Sequence, residues 1–136
     1  MNSSERRGRA AVVLRDGGRV ALIKRVRDGR TYFVFPGGGI QPEETPAHTA
    51  VREAREELGV DVVLGRRLLI EEFRGETKHY FSAIVIGGEF GTGTAAELRA
   101  SGTTERGTYE AIWMEISELP FYDVRPRALA AMLTDG

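Results

Sequence analysis

The chain contains no cysteine. That excludes disulfides, thiolate metal sites and a cysteine nucleophile, and it fits a reducing compartment, so a cytoplasmic location is expected. A basic surplus is missing too: 19 lysines and arginines stand against 20 aspartates and glutamates, for a formal charge of −1. A broad nucleic-acid-binding face normally needs such a surplus, so none is expected. No apolar run is long enough to span a membrane, and the leader Met1-Asn2-Ser3-Ser4-Glu5-Arg6-Arg7-Gly8 lacks the apolar region of a signal peptide. Neither an internal repeat nor a linker divides the 136 residues. One domain over residues 9–136 is expected, behind a disordered leader of residues 1–8.

What is present begins with short apolar, β-branched runs. Arg9 to Arg15 and Arg19 to Val26 flank Asp16-Gly17-Gly18 and predict a hairpin. Tyr32 to Phe35 predicts a third strand that delivers the chain into Pro36-Gly37-Gly38-Gly39, where glycine permits close backbone approach. Val60 to Phe73 predicts one or two strands, His79 to Ile86 another, and Tyr109 to Ile116 the last. Pro126 to Leu133 reads as a closing helix with proline near its start. Strands on both sides of a long helix, with a second helix at the end, predict an α/β fold with a mixed sheet covered on both faces.

The long helix carries the chemistry. Thr45 is a good N-cap, Pro46 suits the first helical position, and Gly59 can close the helix in the left-handed conformation. At about 100° per residue, Ala47, Ala50, Val51, Ala54 and Leu58 share the arc expected to pack on the core. Glu53, Glu56 and Glu57 share the neighbouring arc. Like charges at these spacings repel by roughly 0.2–0.5 kcal/mol per pair, and the last turn disfavours anions. Arg52 is a single cation beside three carboxylates. A divalent ion would neutralise them better, and hard oxygen ligands suit Mg²⁺ or Mn²⁺.

From Gly38 through Glu44 to Arg52-Glu53-Ala54-Arg55-Glu56-Glu57-Leu58-Gly59-Val60 the spacing is G-x5-E-x7-R-E-U-x-E-E-x-G-U, with U apolar. This resembles the signature box of the Nudix hydrolases at every defining position. The resemblance is tight over residues 32–60, looser elsewhere, and echoed in Tyr109 to Leu119. It implies an α/β/α sandwich and metal-dependent cleavage of nucleoside diphosphates linked to another group, X. It further implies that Glu53, Glu56 and Glu57 ligate Mg²⁺ or Mn²⁺, joined by a carbonyl of Gly37 or Gly38. Glu53 is either a ligand or the general base, and Arg52 orients the glutamates through charge-assisted hydrogen bonds. Glu44 supports the loop or the metal shell. Gln41 and Glu43 depart from the commonest form of the box, where glutamate and glycine are usual.

Outside the box the pattern is less selective. A further acid from a facing loop could be Glu89, Glu97, Glu105 or Glu110, and spacing does not choose among them. Gly87 to Thr108 suits a mobile lid or binding loop, with Glu97-Leu98-Arg99 as a helical turn. Lys24, Arg25 and Arg27 could meet substrate phosphate or simply solubilise a strand end. Tyr32, Tyr80 and Trp113 could stack a base or pack, and Phe33 reads as core. His48 and His79 have no ligand partner in sequence. ADP-ribose pyrophosphatases of the family commonly carry a proline downstream of the box, and none occurs from Ala47 to Leu119. The expected substrate is therefore a small nucleotide, a nucleoside triphosphate or dinucleotide polyphosphate in preference to ADP-ribose. A catalytically silent nucleotide sensor is the rival reading, against which the intact carboxylates argue. Relatives are often homodimers, so self-association is compatible with the resemblance.

Overall fold

A computed structural model of the chain describes residues 8–94 and 107–135. The leader up to Arg7, Glu97, Glu105 and the expected turn Glu97-Leu98-Arg99 lie outside the described residues. β1 (Arg9–Asp16) and β2 (Arg19–Arg27) form the expected hairpin, with Gly17 at φ 64° in its turn. β3 (Arg30–Val34) starts two residues earlier than its apolar run, because Asp28-Gly29 takes positive φ at both positions and makes a two-residue hairpin with β2. After β4 (Gly37–Gly39) come α1 (Pro46–Leu58), β5 (Val60–Phe73) and β6 (Glu76–Gly88). β5 is one long strand with bulges on either side of Arg67, and Arg74-Gly75 turns it back into β6. β7 (Thr108–Glu115), a 3₁₀ helix (Ile116–Phe121), β8 (Val124–Arg125) and α2 (Arg127–Asp135) complete the described chain.

The strands run in the order β5-β6-β1-β2-β3-β8, with β4 added to β1 and β7 to β2. β1–β6 and β3–β8 are parallel and the other pairs antiparallel, so the sheet is mixed as expected. Period-two alternation divides the apolar side chains between the faces. Ala10, Val12 and Leu14 of β1 join Ala21 and Ile23 of β2 under Ala50, Ala54 and Leu58 of α1. Ala11, Val13, Val20 and Leu22 face the other way, onto Leu119, Leu129, Ala130 and Leu133 of the 3₁₀ helix and α2. Two cores, one per face, make the α/β/α layering.

β1 is where the sheet splits. Its first residues, Arg9 to Ala11, pair with Gly39 to Gly37, whereas Arg15 and Asp16 pair with β2. Between β4 and the β2–β3 hairpin the two halves diverge, and the space between them is a cleft.

Gly37 fits against β1 only because it has no side chain: a Cβ there would lie 2.3 Å from the Ala10 carbonyl oxygen and 2.6 Å from Ala11 Cα. Both are backbone atoms inside a paired strand and cannot step aside. Gly37→Ala is expected to cost about 1–3 kcal/mol, read as a lower urea midpoint at unchanged slope. An unchanged midpoint would show that β4 can shift off β1.

Candidate active site

α1 begins and ends at the expected residues. Thr45 Oγ1 accepts from the His48 amide at 3.1 Å, Pro46 occupies the first turn, and Gly59 at φ 82° donates its N–H to Arg55. The buried face, however, is rotated from the apolar arc. Thr49, Ala50, Glu53, Ala54, Glu57 and Leu58 are buried, while Val51, expected in the core, is 38% exposed and Ala47 only half-buried. The cause is what lies opposite: the helix packs against the all-glycine strand β4, which leaves room for glutamate side chains where a larger strand residue would not.

Glu53 and Glu57 are 9% and 5% exposed, a high degree of burial for carboxylates. Glu57 Oε1 accepts the Gly37 N–H at 3.0 Å. The Glu53 carboxylate lies so near β4 that a Cβ on Gly38 would come within 2.3 Å of its Oε2. Glu56 points outward, its side chain 43% exposed.

Arg52 ties this group together. Its Nε and Nη2 grip Glu44 at 2.6 and 3.0 Å, Nη2 also donates to the Gly39 carbonyl at 3.1 Å, and Nη1 donates to Glu53 and Glu56, both at 3.1 Å. Glu44 is itself held by the Gln41 amide at 3.0 Å and the Thr49 hydroxyl at 2.7 Å. The Arg52 hydrogen bond is the main reason its carboxyl pKa drops to about 2, and Glu44 in turn raises that of the guanidinium. Glu44 thus anchors Arg52 to the loop, and Arg52 sets the glutamates.

Glu53, Glu57, Gly37, Gly38 and Arg25 line one cleft of about 450 Å³; Arg52, Glu56, Glu44 and Lys24 are not among its walls. Lys24 follows strand alternation and leaves the face that carries Ile23 and Arg25. Arg27 lies in an adjoining hollow. Glu89 and Glu110 are exposed and away from the cleft. Tyr32, Tyr80 and His79 line it, whereas Trp113 stacks on Phe90 at 4.6 Å and His48 is exposed. His79 lies inside β6 rather than at its start, and burial, then Arg67, lower its pKa. Sequence reading did not single out Arg9, Glu71, Lys78 and Arg125, or Tyr109 as a cleft residue. Lys78 and Glu71 meet Arg9 only through the register of β5, β6 and β1, which no local signal encodes.

Among the described residues, no three carboxylate or imidazole side chains converge into a ready metal cage. The donors fit a different kind of ion site. Two buried carboxylates against glycine backbone, one of which shares Arg52 with the outward-pointing Glu56, suit a hard cation that keeps waters and takes substrate oxygens, as Mg²⁺ does.

Two substitutions separate site from fold. In Gly38→Ala the atom displaced is the end of a side chain, so the melting temperature should change little while divalent-metal affinity falls about tenfold or more; unaltered metal binding would place the ion elsewhere. For Glu44→Gln, the native pKa lies below the unfolded value of 4.5, so the wild-type advantage exists above that pH and fades as pH falls towards 2. The variant should lose about 1 kcal/mol at neutral pH, with the two melting curves converging below pH 4; a constant gap down to pH 2 would contradict the pairing.

Comparison with known proteins bears on the fold and the family. A MutT structure described for Aliivibrio salmonicida and Vibrio cholerae superposes with a TM-score of 0.72 at 16% identity, covering 97% of this chain and 98% of that one. A NUDIX-family hydrolase from Clostridium perfringens gives 0.68 at 16% identity, covering 99% and 98%. At such identities the likeness is one of fold. A human protein, diphosphoinositol polyphosphate phosphohydrolase NUDT4B, is 51% identical over 47 residues, which is 35% of this chain and 26% of that protein's length. The family description of the NUDIX domain matches residues 4–132, and by that match over nearly its whole length the chain belongs to the NUDIX family.

Proposed function

We propose that the protein is a divalent-metal-dependent pyrophosphohydrolase that cleaves the diphosphate bond of a nucleoside diphosphate linked to X, with nucleoside triphosphates and dinucleotide polyphosphates favoured. The observation that carries this reading is the pair of buried carboxylates, Glu53 and Glu57, lining the cleft beside glycine backbone, with Glu53 held by Arg52 and Glu57 by the Gly37 N–H. Burying two anions side by side is costly unless a cation shares the site. Arg52 reaches Glu53 but also has Glu44 and Glu56 to serve. Glu53, Glu56 and Glu57, with a carbonyl of Gly37 or Gly38, would hold Mg²⁺ or Mn²⁺. Such an ion supplies charge neutralisation at phosphoryl oxygens and lowers the pKa of water.

The residues of the chain supply the rest. Arg52 orients Glu53 and Glu56 without touching substrate, and Glu53 acts either as a ligand or as the base that accepts the proton of the attacking water. The cleft is of the size that takes a small molecule. The curated relative bears the name of a phosphohydrolase, which supports the reaction class. The matched stretch is about a quarter of that protein, so its substrate name does not decide this one. Absence of cysteine and of any described helix able to cross a membrane is compatible with action on nucleotides in the cytoplasm.

Glu57→Gln retains an acceptor for the Gly37 amide and removes the charge. Turnover of the best substrate from a panel of nucleoside triphosphates and dinucleotide polyphosphates is expected to fall about 10²–10³-fold, with the melting temperature preserved. Unchanged turnover would remove the proposed metal site. Nucleotide binding by the wild type with no hydrolysis under Mg²⁺ or Mn²⁺ would instead establish a sensor.

A further inference from the structure

After β6 the chain folds back across the C-terminal end of α1. The Gly91 N–H donates to the Leu58 carbonyl at 2.8 Å and the Glu89 N–H to the Gly59 carbonyl at 3.1 Å, so residues 89–93 supply donors at a helix end that has none of its own to offer. Thr92 closes this segment on itself, its N–H and hydroxyl both bonding the Glu89 carbonyl, at 3.3 and 2.7 Å. Gly93 then rests on the last turn of the helix. A Cβ there would lie 2.5 Å from the Glu56 carbonyl oxygen and 2.6 Å from that of Glu57. Both are main-chain atoms of the glutamates themselves, with no flexible group to step aside.

The segment is fixed at its other side by an aromatic stack. Phe90 lies on Trp113 of β7 with ring centres 4.6 Å apart and 29° between the planes, and both rings are packed against the core beneath α1. Arg19 of β2 covers the Trp113 ring at 4.8 Å. β7 pairs with β2, so residues 89–93 brace the end of α1 against the β2–β7 half of the sheet. Trp113, open in the sequence between stacking a base and packing, holds this brace.

The last turn of α1 is where support matters. Glu56 and Glu57 lie against the helix dipole and repel Glu53, which favours fraying of the backbone that carries them. We propose that residues 89–93 are a positioning brace for the ion site, with Gly93 bearing on the Glu56–Glu57 backbone and the Phe90–Trp113 stack holding the segment down. Phe90 and Gly93 are absent from the walls of the cleft, yet they set its affinity for a divalent ion. This deepens the hydrolase reading and rests on its ion site.

The test is Mg²⁺ binding measured by calorimetry without substrate. Phe90→Ala removes the stack and Gly93→Ala drives a methyl into the Glu56–Glu57 backbone; each is expected to weaken Mg²⁺ binding about fivefold or more. Phe90→Tyr keeps the ring and should stay within twofold of wild type. Leu133→Ala opens a cavity in the core on the opposite face, so it should lower the melting temperature and leave Mg²⁺ affinity within twofold. Coupling is reciprocal, and saturating Mg²⁺ should therefore slow hydrogen exchange of the wild-type Gly91 amide by a factor similar to the affinity lost in Phe90→Ala. Wild-type affinity in Phe90→Ala, an equal loss in Leu133→Ala, or a Gly91 amide indifferent to Mg²⁺ would overturn the brace, whether or not Gly93→Ala folds. Wild-type protein that binds no Mg²⁺ would sink the ion site and the brace together. Brace-dependent Mg²⁺ binding with no turnover of any substrate would sink the hydrolase reading alone.

Discussion

Five hydrogen bonds from one guanidinium organise the carboxylate end of this molecule. Glutamates at i, i+3 and i+4 on a helix, two of them in its anion-disfavouring last turn, would repel and splay. Arg52 stops that by reaching two of them and, at the same time, Glu44 and the Gly39 carbonyl in the preceding loop. Loop and helix thereby become one unit. Viewed along the helix alone, Arg52 is a weakly oriented i, i+4 partner of Glu56; its larger effect comes from the two-pronged contact with Glu44, a residue outside the helix.

That unit depends in turn on a strand without side chains. β4 inserts beside β1 where the sheet splits, and Gly37 and Gly38 leave space on opposite accounts, one for the β1 backbone and one for the Glu53 carboxylate. The same split opens the cleft. Its carboxylate wall and its arginine–tyrosine wall therefore come from two halves of the sheet held at one junction, and a ligand that bridges them must carry groups suited to each.

The parts of this arrangement legible in the sequence are those with local causes. Thr45, Pro46 and Gly59 bound α1 through backbone chemistry within a few residues of themselves, and Asp16-Gly17 marks its hairpin in the same way. The rotation of α1 was not legible, because apolar periodicity ranks Val51 above Thr49 and cannot register that the facing strand is glycine. Asp28-Gly29 and Arg74-Gly75 were readable as turns, yet the flanking charged residues Arg27, Arg30 and Glu76 masked the strand ends. Of the cleft, the box residues were visible as a pattern. Arg125, Lys78, Glu71 and Arg9 were not, since they meet only through pairings between strands far apart in the chain. The departure at Glu43 has a structural counterpart: it adopts φ 77°, the left-handed conformation that glycine takes without cost.

The most direct test of the proposed ion site is a crystal of the protein soaked in Mn²⁺ and measured for anomalous scattering. A peak beside the Glu53 and Glu57 carboxylates, against the glycines of β4 and with Arg52 still on Glu44, is the expected result. A peak elsewhere, or none at an Mn²⁺ concentration that saturates hydrolysis, would contradict it.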